Sequence, residues 1–148
     1  MRKAKIFILS CMMSMVSLSI NAQNQGESYD WSKVINAIAM VESKGNPKAY
    51  NPNGDCVGLL QITKTLVKEC NLILEKQKIK KRYTPNDRWD AEKSKEMFII
   101  VQEWHNPEHN VEKAIKCWNC GGFYLKNNGW KNKSVGYYNK VMKYYKGS

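Results

Sequence analysis

The chain has 148 residues, with 24 Lys and Arg against 13 Asp and Glu for a net charge of +11, and 43% hydrophobic residues. That length supports one domain with a single core burying roughly two thirds of its unfolded-chain surface, and no repeat or low-complexity segment suggests an array. A basic excess of this size suits an anionic target.

The first residues read as a cleavable secretory signal over Met1 to Ala22: cations at Arg2, Lys3 and Lys5, an uncharged run from Ile6 to Ile20, and a small residue at Ala22. The uncharged run is short for a membrane span and is diluted by four serines, and Cys11 comes too early for a lipoprotein signal. The expectation is an exported protein, periplasmic or extracellular, whose cleavage would remove three of its positive charges. An exported basic protein suits a cell wall and transient association with wall or membrane surface, whereas export argues against nucleic acid. Residues 23–29 are polar and read as a flexible segment, leaving 30–148 as the folded domain, expected to be a monomer.

Asp30 is a plausible N-cap for a helix from Trp31 to Val41, in which Trp31, Val34, Ile35, Ile38 and Val41 keep the three-four spacing of an amphipathic face. Glu42 falls four residues after Ile38 and shares that apolar stripe. A buried, unpartnered carboxylate is costly, so its pKa moves up, and a general acid at neutral pH is made that way. The helix stops at Lys44-Gly45-Asn46-Pro47. Tyr50 to Ile62, with the turn sequence Asn51-Pro52-Asn53-Gly54, is expected to form a loop or small hairpin. A second helix is expected over Thr65 to Lys78, with Leu66, Val67, Cys70, Ile73 and Leu74 inward, running into a solvated basic cluster at Lys78, Lys80, Lys81 and Arg82.

A third helix, Ala91 to Trp104, is capped by Asp90 and ended by Asn106-Pro107, with Met97, Ile100, Val101 and Trp104 at core spacing. Val111 to Trp118, capped by Asn110, ends at Gly121-Gly122, and a last helix from Val135 to Tyr145 places Val135, Tyr138, Val141, Met142 and Tyr145 inward. Asp87 and Asp90 read as turn and cap residues. His105 and His109 bracket Pro107 as solvent-facing loop histidines, without metal-like neighbours. In an oxidising compartment Cys56, Cys70, Cys117 and Cys120 read as structural disulfides or buried free thiols. The Cys117-Trp118-Asn119-Cys120 spacing fits a redox pair or half a zinc site, but no strand-helix-strand pattern surrounds it and no second close pair completes it. No metal or cofactor is expected.

Three segments stand apart from this scaffold: Glu42-Ser43, Gly58-Leu59-Leu60-Gln61-Ile62, and Trp118-Asn119-Cys120-Gly121-Gly122. Glycine lets a substrate approach the backbone, Gln and Asn donate and accept hydrogen bonds, and Trp or Tyr offers a flat face to a sugar ring. Taken in order, they resemble the lysozyme-like soluble lytic transglycosylase family, which cleaves the glycan strands of peptidoglycan. Its Glu-Ser pair, its Gly-Leu-Met-Gln motif and its Ala-Tyr-Asn-Ala-Gly motif correspond to Glu42-Ser43, Gly58-Leu59-Leu60-Gln61 and Cys117-Trp118-Asn119-Cys120-Gly121. A later family tyrosine corresponds to Tyr137, with Tyr138 adjacent. The sequence departs from the family at Leu60, Trp118, Cys117 and Cys120, and at Gly122 in place of a frequent proline.

The resemblance implies a mainly α, single lysozyme-like domain of about five to six helices, with the loop or hairpin between the first two. It implies that Glu42 protonates the glycosidic oxygen between muramyl and glucosaminyl sugars and then acts as base on the muramyl 6-hydroxyl, so that no water and no second carboxylate is needed. Ser43, Gly58, Leu60, Gln61, Trp118, Asn119 and Tyr137 would orient the acid or contact the glycan. A hydrolase remains open if Asp55 faces Glu42 as a second carboxylate at roughly 6.5 to 9.5 Å. A non-catalytic wall-binding protein on the same fold is the other alternative. The interleaved Tyr137, Tyr138, Lys140, Lys143, Tyr144 and Tyr145 could suggest nucleic acid, but at helical spacing they are more simply a closing helix with a basic outer face.

Overall fold

A computed structural model describes residues 28–124 and 127–147. The proposed leader, residues 1–22, and most of the 23–29 segment lie outside the described residues. Five α-helices and one small hairpin follow in the order α1 (Ser32–Ser43), β1 (Tyr50–Asn51), β2 (Cys56–Val57), α2 (Lys64–Lys76), α3 (Ala91–His105), α4 (Val111–Cys120) and α5 (Val135–Gly147). Two 3-10 turns, Pro85–Trp89 and Gly122–Tyr124, join α2 to α3 and follow α4. The hairpin pairs Tyr50 with Val57 and Asn51 with Cys56, antiparallel around the Asn-Pro-Asn-Gly turn.

The helix starts follow side-chain capping. Thr63, Asp90 and Asn110 accept from the amides of Leu66, Lys93 and Lys113, satisfying donors that have no partner inside the helix. Asp30 departs from expectation: Trp31 occupies the N-cap position, and the Asp30 carboxylate instead accepts from the Ser32 amide one turn position early. At the far end of α1, Lys44 takes a left-handed conformation (φ 54) just before Gly45 (φ 77), which ends the helix within two residues of Glu42.

The core is built where the three-four spacing puts it. Trp31, Val34, Ile35 and Ile38 of α1 meet Val67, Cys70, Ile73 and Leu74 of α2, Met97, Phe98 and Val101 of α3, Ile115 of α4 and Val141 of α5, all buried. Fully burying each large apolar side chain stabilises by roughly 1.5–3 kcal/mol, so this shared interior outweighs any single polar contact. Trp104 and Val135 correct the expectation. Both are exposed, Trp104 lying beneath the Lys76 ammonium at 5.7 Å and Val135 being the first residue of α5.

Other corrections concern sulfur and imidazole. Cys56, Cys70, Cys117 and Cys120 are free thiols, so the expected disulfides are replaced by the other reading, unpaired cysteines. Cys70 and Cys117 are buried, each pushed up to about 12 chiefly by desolvation, and Cys70 points its thiol at the Met97 carbonyl at 3.5 Å. His105 is the last residue of α3, 3.0 Å from a Glu69 carboxylate oxygen, and His109 stacks on Tyr29 while contacting Glu103 at 3.3 Å. Neither histidine is a free loop residue.

Candidate active site

The hairpin, the segment after it, and the ends of α1, α4 and α5 converge on one cleft. Glu42 lies in the last turn of α1, half-buried. The Tyr137 hydroxyl, in the first turn of α5, donates to Glu42 Oε1 at 2.5 Å across 95 residues of chain. At the opposite end of the same helix pair the Lys33 ammonium sits 4.9 Å over the Tyr145 ring, so α1 and α5 run antiparallel and bring the end of one to the start of the other. Burial pushes the Glu42 carboxyl above the usual carboxylate range, and the Tyr137 hydrogen bond pulls it partly back. Burial, then the Glu42 charge, raises Tyr137, which keeps its hydroxyl a donor. Of the two adjacent tyrosines, Tyr137 meets the acid; Tyr138 lies under the Lys116 ammonium at 5.3 Å.

The Gly58–Gln61 segment forms a tight turn closed by a Val57–Ile62 bridge, with amide-to-carbonyl bonds of 3.1 and 2.9 Å in the two directions. Gly58 is at φ +80, and a Cβ there would lie 2.0 Å from the Arg88 carbonyl oxygen, so only glycine fits. Gln61 also has positive φ (52), held by its side-chain amide, which donates to the carbonyls of Gly58 at 3.1 Å and Ala49 at 3.4 Å. The turn is pinned from three sides. Ser43 donates to the Leu59 carbonyl at 2.7 Å, the Trp118 indole to the Leu60 carbonyl at 3.3 Å, and the buried Arg88 guanidinium to the Ile62 carbonyl at 3.1 Å.

A cleft of about 200 Å³ opens where these parts meet, lined by Glu42, Gln61, Trp118 and Asn119 of the expected residues. Asn119 is exposed there, with its side-chain oxygen accepting from the Ser134 hydroxyl at 2.8 Å. The other expected contacts are wall rather than lining. Leu60 is 0% exposed and packs into the core, Gly58 is buried, and Ser43 turns onto backbone carbonyls. Asn51, Cys56, Thr63 and Leu66 line the cleft and were not anticipated. Asn51 and Cys56 face each other across the hairpin, so reading its register from the Asn-Pro-Asn-Gly turn would have placed both together. Thr63 and Leu66 arrive through the α2 cap, one residue after the turn.

Asp55 does not line this cleft. It pairs with Lys64 at 3.1 Å and Arg88 at 3.5 Å, and these partners, Lys64 foremost, hold its carboxyl below the usual range. What remains is one carboxyl whose pKa burial raises, beside a hydroxyl donor, in a cleft with amide groups and one aromatic ring. Such a site can donate a proton to a leaving oxygen and take one back.

The model of the transglycosylase SLT domain matches residues 19–141. The chain belongs to the transglycosylase SLT family. Family membership makes this SLT domain a peptidoglycan lytic transglycosylase in general terms, and its five helices with one small hairpin are the lysozyme-like architecture expected. Neither curated proteins nor solved structures give a match.

Proposed function

We propose that this SLT domain is the catalytic part, residues 30–148, of an exported enzyme that cleaves the β-1,4 bond between muramyl and glucosaminyl residues without water. Glu42 gives its proton to the glycosidic oxygen as the bond to the muramyl anomeric carbon breaks. The resulting carboxylate then takes the proton of the muramyl 6-hydroxyl as its oxygen closes on that carbon, leaving a 1,6-anhydromuramyl end. Proton and electron pair balance on one carboxyl group, so no second carboxylate enters. The observation that carries this reading is the Glu42–Tyr137 pair at the cleft: an acid raised by burial, with a phenol that stays neutral and stabilises the carboxylate between the two half-reactions.

Gln61, Trp118 and Asn119 are assigned to the glycan, and Ser43, Gly58 and Leu60 to holding the wall behind it. The ion-paired Asp55 gives the hydrolase alternative no second group at the cleft. Arg2, Lys3 and Lys5 before the uncharged run support export to the periplasm or beyond. Mass spectrometry of digested wall tests the reaction: anhydromuramyl ends are expected, and a digest with reducing ends alone would overturn it. Binding without any cleavage would favour the non-catalytic wall binder.

A further inference from the structure

The seam between α1 and α5 opens, on its outer side, into a groove of about 480 Å³ lined by Met40, Val41, Lys44, Lys140, Lys143 and Tyr144. Its floor is apolar and exposed for this fold: Met40 is 39% and Tyr144 46% accessible. Its rim is three lysines, and no carboxylate lines it. Six other described lysines carry carboxylate partners, in Lys64–Asp55, Lys81–Glu96, Lys93–Asp87, Lys95–Glu92, Lys113–Glu108 and Lys116–Glu112. Among the described residues, Lys44, Lys140 and Lys143 form no such ion pair. Three like charges gathered on two helices without a counter-ion repel one another, and an anionic ligand relieves that repulsion.

The groove and the cleft draw on the same two helices. Val41 lines the groove and the next residue, Glu42, lines the cleft, while Lys140 is one turn along α5 from Tyr137. A peptide stem leaving a muramyl unit at Glu42 would have the α1–α5 seam within its reach. A stem of four residues, extended at roughly 3.3–3.6 Å per residue, reaches along the seam by two to three helical turns. Such stems combine free carboxylates with small apolar side chains, and the groove pairs ammonium groups with Met40, Val41 and Tyr144.

We infer that the α1–α5 groove is an exosite for the acidic peptide stem of the strand being cleaved, so that the enzyme prefers stem-bearing over bare glycan. This rests on the peptidoglycan-cleaving reading above. The test compares kcat/KM on native glycan strands with that on strands stripped of peptide by an amidase, for the full chain and for K140A/K143A and Y144A. The preference for stem-bearing strands is expected to fall roughly three- to tenfold in K140A/K143A, the size that two exposed charge pairs supply, and to fall also in Y144A. An equal loss on both substrates would overturn the stem assignment and make the groove a general site for anionic polymer. Should the chain cleave neither substrate, the reaction proposed above fails, and the exosite is judged separately. Amidase-released acidic tetrapeptide titrated into wild-type protein is then expected to move the NMR signals of Met40 and Tyr144, and unmoved signals would overturn it. The same titration decides the matter if a variant does not fold.

Discussion

Gly58→Ala isolates what the Gly58–Gln61 segment does. At φ +80 an L-residue pays roughly 1–2 kcal/mol over glycine. The added Cβ would also sit 2.0 Å from the Arg88 carbonyl oxygen, at least 1 Å inside the 3.0 Å that such contacts keep. Arg88 cannot yield cheaply. Its carbonyl accepts from the Ser94 hydroxyl at 3.1 Å and its guanidinium holds the carbonyls of Pro85, Asp55 and Ile62 at 2.8, 2.7 and 3.1 Å. Overpacking of this kind costs about 1–3 kcal/mol, so the two terms together come to about 2–5 kcal/mol. For a chain of this size each kcal/mol moves Tm by about 2–4 °C, giving a fall between about 4 and 20 °C. Thermal unfolding followed by circular dichroism reads it directly. A Tm within about 2 °C of wild type would refute the close approach of the turn to Arg88, and with it the view that Gly58 acts on the wall and not on the glycan.

Four other outcomes follow from the same geometry. Glu42→Gln is expected to lower turnover by about 10²–10⁴-fold, the worth of one general acid, while raising Tm at neutral pH; activity near wild type would remove the acid. The sign of the stability effect follows from Glu42's folded pKa lying above its unfolded value: the ionised form costs the native state, and that cost grows as pH rises through the folded pKa. Tyr137→Phe removes the one contact that pulls the Glu42 pKa down, so the alkaline limb of the kcat/KM profile should move to higher pH, and an unmoved limb would sever the link. Asp55→Asn should keep turnover and anhydro products; its carboxyl is held low, so its pairing supports the fold above its unfolded pKa and is lost as pH falls through the folded one, making the variant's deficit largest near neutrality. Loss of cleavage in that variant would instead favour a hydrolase. Ser43→Ala drops the bond to the Leu59 carbonyl and should cost about 1 kcal/mol by chemical denaturation, with a rise in KM where the turn loosens.

Much of the frame was legible because helices announce themselves through spacing and caps. Trp31, Val34, Ile35 and Ile38 repeat at three and four, and Asp90 and Asn110 stand directly before Ala91 and Val111, so the spacing and caps place α1, α3 and α4 within about two residues of their ends. Periodicity does not say which face meets water when a helix is edged on both sides, and Trp104 and Val135 were misplaced for that reason. The acid was legible through its stripe. Its neighbours were less so, because Leu60, Ser43 and Gly58 act through carbonyls and close backbone packing, which a motif of side chains conceals. Asn51 and Cys56 escaped because they join the cleft only once the hairpin has paired.

The contact between Tyr137 and Glu42 ties the acid to the last helix of the chain. A phenol ninety-five positions along the chain is thus part of the surroundings that set this carboxyl's acidity. Any change that loosens α5 from α1 would therefore alter the surroundings of Glu42 without touching the lining of the cleft.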